Sequence, residues 1–288
     1  MTSRETLAAA SPAGKAPQDA LRAARRRKRG RAGPPGGIFR PFRNAADWLL
    51  RAAWPPRSLV DGQELAGPGL LSAADWSRLT FVSPPLCRRC GMAFEIEVEQ
   101  NQVCGACLSH PPAYDRARAA LIYGDVSREL VLALKRQGRR DGLATMSGWM
   151  AQAGGELLAE ADFLVPTPLH YWRFVRRGFN QSVWLAQALQ RRTGTPVAIG
   201  ALRRVLSTPS QGGLSANARR RNVQGAFRVG AGWKPRLKGR NVVLVDDVLT
   251  TGATVEACAR TLKRAGAANV DVIALARVAG PRPIPILG

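Results

Sequence analysis

Apolar residues recur along the second half of the chain in two alternating patterns, and these predict strands and helices in turn. From Ala117 onward, short apolar runs are separated by longer stretches in which apolar residues repeat at helical spacing. The predicted strands cover residues 119–123, 163–166, 202–206, 242–246 and 270–276. The predicted helices cover residues 126–136, 143–159, 180–191 and 254–265. This alternation predicts an α/β fold with a mostly parallel sheet and flanking helices.

The length and the hydrophobic content are those of a globular protein. A chain of 288 residues is enough for one domain of ordinary size and one small module, and a hydrophobic fraction of 45% can form a real core. No run approaches the roughly 20 apolar residues that a membrane span needs. The N-terminus also lacks the short apolar core of a secretory signal. We therefore expect a cytoplasmic protein with no membrane span.

Positive charge is concentrated at the start of the chain. The formal net charge is +23, and residues 1–43 hold 11 Lys and Arg against two acids, a net of +9. The basic cluster at residues 25–31 is set among Ala, Gly and Pro, which cannot bury enough apolar surface to fold. We expect residues 1–46 to form a disordered basic tail. It is either a solvated segment or an arm that binds polyanions through counterion release.

Four of the five cysteines form two pairs with the spacing of a metal site, Cys87-x-x-Cys90 and Cys104-x-x-Cys107. In a cytosolic chain this pattern indicates a metal more often than disulfides. The two-residue gap lets both thiolates of a pair reach one ion, and the glycine after Cys90 permits the tight turn. We predict one structural zinc ion at this site; the alternatives are redox chemistry of the CxxC pairs and a chance occurrence of the spacing. His110 could compete as a ligand, although four sulfurs already close the site.

An earlier segment repeats the frame of the first cysteine pair without its cysteines. Residues 55–62 read Pro-Pro-Arg-Ser-Leu-Val-Asp-Gly, against Pro-Pro-Leu-Cys-Arg-Arg-Cys-Gly at residues 84–91. The same change recurs at Ser72-Ala73-Ala74-Asp75. Serine is a poor zinc ligand, so this degenerate copy should hold no tight zinc. Its fold would then depend on hydrophobic groups, namely Leu59, Leu70, Leu71 and Trp76; alternatively, the frame recurs by chance in a chain with 20 prolines.

A phosphate-binding turn is predicted where the strand at 242–246 meets the helix at 254–265. The buried part of the strand, residues 241–245, is followed by Asp246-Asp247, and Thr250-Thr251-Gly252-Ala253-Thr254 then opens the helix. Unpaired N–H groups at a helix start favour a phosphate, threonine hydroxyls add donors, and Gly252 lets the backbone approach closely. The two carboxylates can accept hydrogen bonds from ribose hydroxyls or hold a hydrated Mg²⁺. A sugar phosphate is therefore expected at the carboxyl edge of the sheet.

Three other interpretations of this segment compete with a phosphate site. The simplest is a threonine-capped helix that follows a strand and binds nothing. A response-regulator receiver also carries an apolar-Asp-Asp corner, but it needs that corner near its start and a Lys downstream. Only 41 residues follow Asp247, and their one lysine is Lys263 inside the predicted helix. A Walker-type NTPase is excluded because the chain has no GxxxxGK[ST] string.

Two arginine-containing segments offer partners for a second anion. One runs from Val165-Pro-Thr-Pro-Leu-His170 to Arg173 and on to Arg176-Arg177-Gly-Phe-Asn-Gln181. The other runs from Thr208 to Asn222, contains Arg219 and is rich in polar residues and glycine. A segment of that composition could close over a bound ligand as a lid.

The phosphate turn resembles the phosphoribosyl pyrophosphate motif of the type I phosphoribosyltransferases at every residue type from 242 to 254. Together with the cysteine pairs, three strings resemble the competence protein F (ComF) family of bacteria over roughly residues 47–277. The strings are VPTPLHxxRxxxRGFNQ at 165–181, TxxQxxLxxxxRxxN at 208–222 and VLVDDVLTTGAT at 243–254. Members usually pair a double zinc ribbon with a phosphoribosyltransferase-like domain, and some act in uptake of transforming DNA.

The resemblance implies a domain layout and a set of site residues. Residues 1–46 would be the tail, 47–112 a double zinc-ribbon-like module (55–76 degenerate, 84–110 zinc-binding), 113–279 the phosphoribosyltransferase-like domain, and 280–288 a Pro-rich tail. Thr250, Thr251, Gly252, Ala253 and Thr254 would bind the phosphate. Asp246 and Asp247 would bind the ribose, and Arg176, Arg177 and Arg219 would bind Mg²⁺-pyrophosphate, with His170 as a weaker candidate. Among these, the catalytic roles fall to Asp246, Asp247, Arg176 and Arg219.

Two functions remain open on the sequence alone. The first is an enzyme-like site for phosphoribosyl pyrophosphate with Mg²⁺, in which pyrophosphate leaves through an oxocarbenium-like state. The second is a non-catalytic adaptor in single-stranded DNA handling. Its ribbon, basic tail and exposed arginines would contact nucleic acid or a helicase partner.

Overall fold

The computed structural model describes residues 57–65, 71–99, 101–137, 140–169, 175, 177–205 and 225–280. The predicted basic tail and most of the Pro-rich end lie outside these residues. Three of the predicted site residues, His170, Arg176 and Arg219, also lie outside them. Within the described part, no helix is long and apolar enough to cross a membrane.

A four-stranded parallel sheet forms the centre of the fold, with the strand order β1-β6-β5-β2. Its strands are β1 Ala117–Ile122, β2 Phe163–Pro166, β5 Asn241–Leu249 and β6 Asn269–Arg277. A separate antiparallel pair consists of β3 Leu202–Arg204 and β4 Phe227–Val229. The predicted α/β class with a mostly parallel sheet is confirmed.

Helices cover both faces of the parallel sheet. Their bounds are α1 Ala73–Ser77, α2 Gly105–Ser109, α3 Asp125–Leu132, α4 Leu143–Ala153, α5 Gly155–Glu160, α6 Gln181–Thr193, α7 Trp233–Leu237 and α8 Ala253–Arg264. One turn of π-helix, Ala133–Gln137, continues α3. Residues 242–245 of β5 are all apolar because successive side chains face opposite sides of the sheet, and both sides are covered. Val243 packs with the core that includes α4 and α6, while Leu244 packs with the core that includes α8.

The predicted strand at 202–206 is shorter than expected and lies outside the parallel sheet. Leu202 pairs with Val229 and Arg204 with Phe227 in the antiparallel hairpin. A central strand is buried on both faces, and a strand that carries two consecutive arginines, Arg203 and Arg204, cannot satisfy that requirement. The sequence did not predict β4 or α7.

The predicted helix at 143–159 is divided into α4 and α5 at Gly154. A Cβ atom added to Gly154 would lie 2.7 Å from Cδ1 of Ile273 on β6. The glycine therefore lets the helical segment approach the sheet more closely than a larger residue would allow.

Strand β5 runs three residues beyond the predicted end at Asp246. Its pairing with β6 continues as far as Leu249, which lies opposite Arg277. Asp246 and Asp247 are therefore part of the strand rather than of the loop that follows it, and their side chains leave opposite faces of the sheet.

The segment that holds the first cysteine pair contacts β1 and β6 directly. The backbone N–H of Ala117 donates to the carbonyl of Arg89 at 2.7 Å, and a guanidinium nitrogen of Arg277 donates to the carbonyl of Cys90 at 2.6 Å. A Cβ atom on Gly91 would lie 2.2 Å from the carbonyl oxygen of Ala117. The turn directly after Cys90 can therefore pack this closely against β1 only because residue 91 is glycine.

Candidate functional site

The carboxyl ends of β2 and β5 place two segments of the predicted site side by side. Thr167, which follows β2, donates from Oγ1 to Oδ1 of Asp246 at 2.7 Å. The hydroxyl of Ser182 at the start of α6 donates to the same oxygen at 3.2 Å, and the backbone N–H of Asp247 does so at 3.0 Å. Parallel strands end at one edge of the sheet, so residues far apart in sequence meet there.

The electrostatic environment of Asp246 favours its protonated form. Burial, followed by the negative charge of Asp247, raises the pKa of Asp246 to about 6. The hydrogen bond from Thr167 and the positive charge of Lys135 act in the opposite direction. Asp246 can therefore change its charge near neutral pH, which is common for carboxylates in ligand-binding sites.

Asp247 is buried, with 5% of its surface exposed, and it has two positively polarised partners. The amide Nε2 of Gln181 donates to its Oδ2 at 2.7 Å. The ammonium of Lys135 lies 3.1 Å from the same oxygen. The ion pair compensates the cost of burying the carboxylate.

Lys135 belongs to this candidate site through its ion pair with Asp247, and the sequence pattern did not predict it. It lies on the π-helical turn after α3, and such turns are frequent at functional sites. The sequence feature that could have revealed Lys135 is its position four residues after the buried Val131. A lysine on the apolar face of an amphipathic segment needs an acidic partner, and in this fold that partner is Asp247.

Arg177 reaches the acids indirectly. Its Nη1 donates to Oε1 of Gln181 at 3.4 Å, while the amide of Gln181 donates to Asp247. The fold thus brings Arg177 of the first arginine segment to the same edge as the two acids.

The predicted phosphate turn links β5 to α8. Gly252 precedes the helix with a φ of 78°, a conformation that glycine adopts readily. Ala253 is buried, Thr250 is exposed, and Thr251 and Thr254 are partly exposed. The first N–H groups of α8 have no acceptor within the helix, because its first i to i+4 hydrogen bond runs from Glu256 to Gly252. The turn therefore presents backbone donors and hydroxyls next to the two acids.

A second site is formed by the two cysteine pairs. The sulfur atoms of all four cysteines lie within 4.8 Å of one another, and those of Cys90 and Cys104 are 3.7 Å apart. A tetrahedral zinc centre with Zn–S bonds of about 2.3 Å would place its sulfurs about 3.8 Å apart. The group consists of Cys87, Cys90, Cys104 and Cys107, whereas His110 is exposed at the end of α2. These four cysteines could bind a zinc ion.

The acid–base properties of these thiols also suit a cation. Hydrogen bonds from Cys107 and then Cys90 lower the pKa of the Cys87 thiol well below its usual range. The pKa of the Cys107 thiol is raised, first because it serves Cys87 as a hydrogen-bond donor. Without a metal, hydrogen bonds from the neighbouring thiols stabilise the thiolate of Cys87. A zinc ion would stabilise all four thiolates.

Residues 57–77 repeat the backbone pattern of this cysteine site. An antiparallel bridge joins Arg57 to Glu64, and another joins Leu86 to Ala93, 29 residues later in each strand. Gly62 and Gly91, also 29 residues apart, have φ values of 71° and 67°. Ser72 precedes α1 as Cys104 precedes α2.

The hydrophobic contacts expected of this earlier segment are present in part. Leu59 is buried, and Leu71 packs against the main core. Trp76 remains 51% exposed, although its ring lies 5.8 Å from that of Trp149 on α4. Leu70 is outside the described residues.

Comparison with known proteins agrees with this geometry. A sequence model of the phosphoribosyl transferase domain matches residues 184–283, which include most of α6 and all of β5, the predicted phosphate turn and α8. The fold and the matched segment define a phosphoribosyltransferase-like α/β domain.

The curated relatives identify the family more closely. DNA utilization protein YhgH of Escherichia coli strain K12 is 35% identical over 209 residues, which cover 70% of this chain and 88% of that protein. Competence protein F of Haemophilus influenzae is 31% identical over 206 residues, which cover 67% of this chain and 85% of that protein. The chain belongs to the competence protein F (ComF) family. The resemblance noted in the sequence is thereby confirmed.

Proposed function

We propose that this protein binds phosphoribosyl pyrophosphate, or a related sugar phosphate, together with Mg²⁺ at the carboxyl edge of β5. The observation that carries the proposal is the sequence of groups along one stretch of chain. Asp246 and Asp247 lie near the carboxyl end of β5, and a Thr-Thr-Gly turn then leads from the strand into α8. A carboxylate pair and a phosphate-binding helix start are thus held within reach of one sugar phosphate.

The 5-phosphate would bind at the turn. Backbone N–H groups at the start of α8 and the hydroxyls of Thr250, Thr251 and Thr254 supply donors for its oxygens. The helix adds partial positive charge at the same end. Gly252 is required because a side chain there would strain the left-handed backbone.

The ribose and the metal would bind at the acids. Asp246, with a pKa near 6, is largely ionised at neutral pH and can accept hydrogen bonds from ribose hydroxyls. Mg²⁺ prefers carboxylate oxygens, phosphate oxygens and water, and the donor set at this edge fits that preference. When bound, the ion would neutralise charge on the pyrophosphate.

Transfer would require the pyrophosphate group to be held while the bond to C1 breaks. Arg177 lies beside Gln181 and can supply one cation, and the predicted Arg176 and Arg219 would supply two more. Lys135 would orient Asp247 through their ion pair, as a positioning residue. If the protein is an enzyme, its class is phosphoribosyltransferase.

Titration calorimetry with phosphoribosyl pyrophosphate and Mg²⁺ tests the proposal. We expect a saturable signal from the wild type and its loss in Asp246→Ala/Asp247→Ala. The matched control is Glu97→Ala, which removes an exposed carboxylate from the cysteine-containing segment and should leave binding unchanged. A wild type that shows no heat at millimolar ligand would refute the ligand assignment.

A second function, in handling of single-stranded DNA, is supported by the relatives, which are named for DNA utilization and competence, and by the net charge of +23. It would involve nucleic acid or a helicase as a partner. Binding of single-stranded DNA by the full chain should then weaken steeply between low and physiological salt, because phosphate contacts release counterions. Gel-shift assays over a salt series measure this, and a flat salt dependence would argue against it.

A further inference from the structure

Four oxygen-bearing side chains occupy the places in residues 57–77 that correspond to the four cysteines of the later segment. Ser58 and Asp61 precede Gly62 as Cys87 and Cys90 precede Gly91, and Ser72 and Asp75 have the spacing of the second cysteine pair. We call these four residues, Ser58, Asp61, Ser72 and Asp75, the oxygen cluster. The shared backbone pairing means that their side chains converge as the thiols do.

Contacts within the oxygen cluster confirm this convergence. The hydroxyl of Ser72 donates to Oδ2 of Asp61 at 3.0 Å. The carboxyl group of Asp75 lies within hydrogen-bonding reach of the Asp61 carboxylate. Ser58 is completely buried, and its oxygen accepts from the backbone N–H of Val60 at 3.2 Å. Two carboxylates and two hydroxyls therefore share one small volume.

The buried carboxylate of Asp75 has little compensating positive charge near it. Only 4% of its surface is exposed, and its Oδ2 is buried without a hydrogen-bond partner. Its other oxygen has a distant partner, Nη1 of Arg78 at 3.5 Å, on a side chain that is 59% exposed. A buried carboxylate oxygen without a donor is costly, and a second carboxylate beside it increases that cost.

We propose that the oxygen cluster binds a hard divalent cation of the Ca²⁺ class. Carboxylate and hydroxyl oxygens are ligands of hard cations, whereas zinc in a ribbon is held by thiolates and imidazoles. The exposed side of Asp61 leaves room for the water ligands that complete such a coordination shell. The earlier segment thus retains the position of a metal site and changes its metal class. This inference does not depend on the function proposed above.

Terbium luminescence offers a direct test, because Tb³⁺ substitutes for Ca²⁺ and Trp76 follows Asp75 in α1. The full-length protein should carry Asp246→Asn/Asp247→Asn, which removes the other carboxylate pair as a source of signal. Excitation of tryptophan should give saturable terbium emission that Ca²⁺ competes away. Asp75→Asn should weaken binding at least about tenfold, since it removes one of two anionic ligands.

The control within the same segment is Glu64→Gln, whose exposed carboxylate pairs with Arg57 and should not affect the emission. Zinc content and thermal unfolding verify that each variant is folded, and a rise in the melting temperature of the wild type with Ca²⁺ gives a readout that needs no variant. Saturable emission that is unaffected by Asp75→Asn would overturn the proposal. So would the absence of both emission and a Ca²⁺ shift at millimolar metal.

Discussion

Replacement of Lys135 by methionine should destabilise the protein and weaken its binding of phosphoribosyl pyrophosphate. The substitution keeps the length and apolar stem of the side chain but removes its charge. The ammonium lies 3.1 Å from Oδ2 of Asp247, whose side chain is 7% exposed. Gln181 would remain as a hydrogen-bond donor to this carboxylate, but no positive charge would replace the lysine.

The size of the effect follows from this geometry. At an effective dielectric constant of about 20, the gross attraction over this distance is about 5 kcal/mol. The side chain of Lys135 is 25% exposed, so hydration and solvent screening offset part of that attraction. Truncation of one partner of a well-buried pair costs about 3–5 kcal/mol, and we expect about 2–3 kcal/mol here.

Urea unfolding of the purified protein measures the difference, and Lys263→Met is the matched control. Lys263 also pairs with an aspartate, Asp115 at 2.7 Å, but both side chains are about one-third exposed. Its replacement should cost less than about 1 kcal/mol. A double-mutant cycle between Lys135→Met and Asp247→Asn should show a coupling of about 2 kcal/mol. Equal losses for the two lysine variants would refute the argument that burial makes the pair at Asp247 strong.

Three further predictions concern pH, packing and metal. Because the pKa of Asp246 is raised to about 6, affinity for phosphoribosyl pyrophosphate with Mg²⁺ should fall as the pH drops below about 6, and Thr167→Val should move the midpoint of this titration upward. The raised pKa also affects stability, because the folded state favours the protonated form of Asp246. The stability that Asp246 contributes is therefore greatest below about pH 4 and is lost as the pH rises through about 6. Unfolding curves measured from acid to neutral pH can detect this loss. Gly91→Ala should lower the free energy of unfolding by more than about 2 kcal/mol because its Cβ would overlap the carbonyl of Ala117, whereas Gly105→Ala, with open space around it, should be nearly neutral. Metal analysis should find about one zinc per chain, and its removal by a chelator should lower the melting temperature; a stoichiometry near two would show that the earlier segment also holds zinc.

The local patterns that the sequence revealed are those that depend on neighbouring residues. Spacing alone located the cysteine pairs, the strand at 242–246 and the turn that opens α8, because each of them is defined by residues only a few positions apart. Helical periodicity likewise found α6 and α8 to within one or two residues. The fold class followed from the alternation of these elements, because such an alternation favours parallel strands with helical crossovers.

Long-range pairing set the features that the sequence did not predict. β3 lies outside the parallel sheet because it pairs with β4, which follows residues 206–224 in the chain. The break at Gly154 depended on the side chain of Ile273, more than a hundred residues away. The local sequence indicates these contacts only through Gly154 and through the arginine pair Arg203-Arg204.

The candidate site shows the same division. Spacing along the chain was enough to predict the phosphate-binding and zinc-binding candidates, because a helix start and a CxxC pair are local arrangements. Tertiary structure alone decided that Lys135 and Gln181 both bind Asp247, and that Thr167 binds Asp246. The physical reason is that parallel strands and their helices converge at one edge of the sheet, so the electrostatic partners of the two acids come from segments that are distant in the chain.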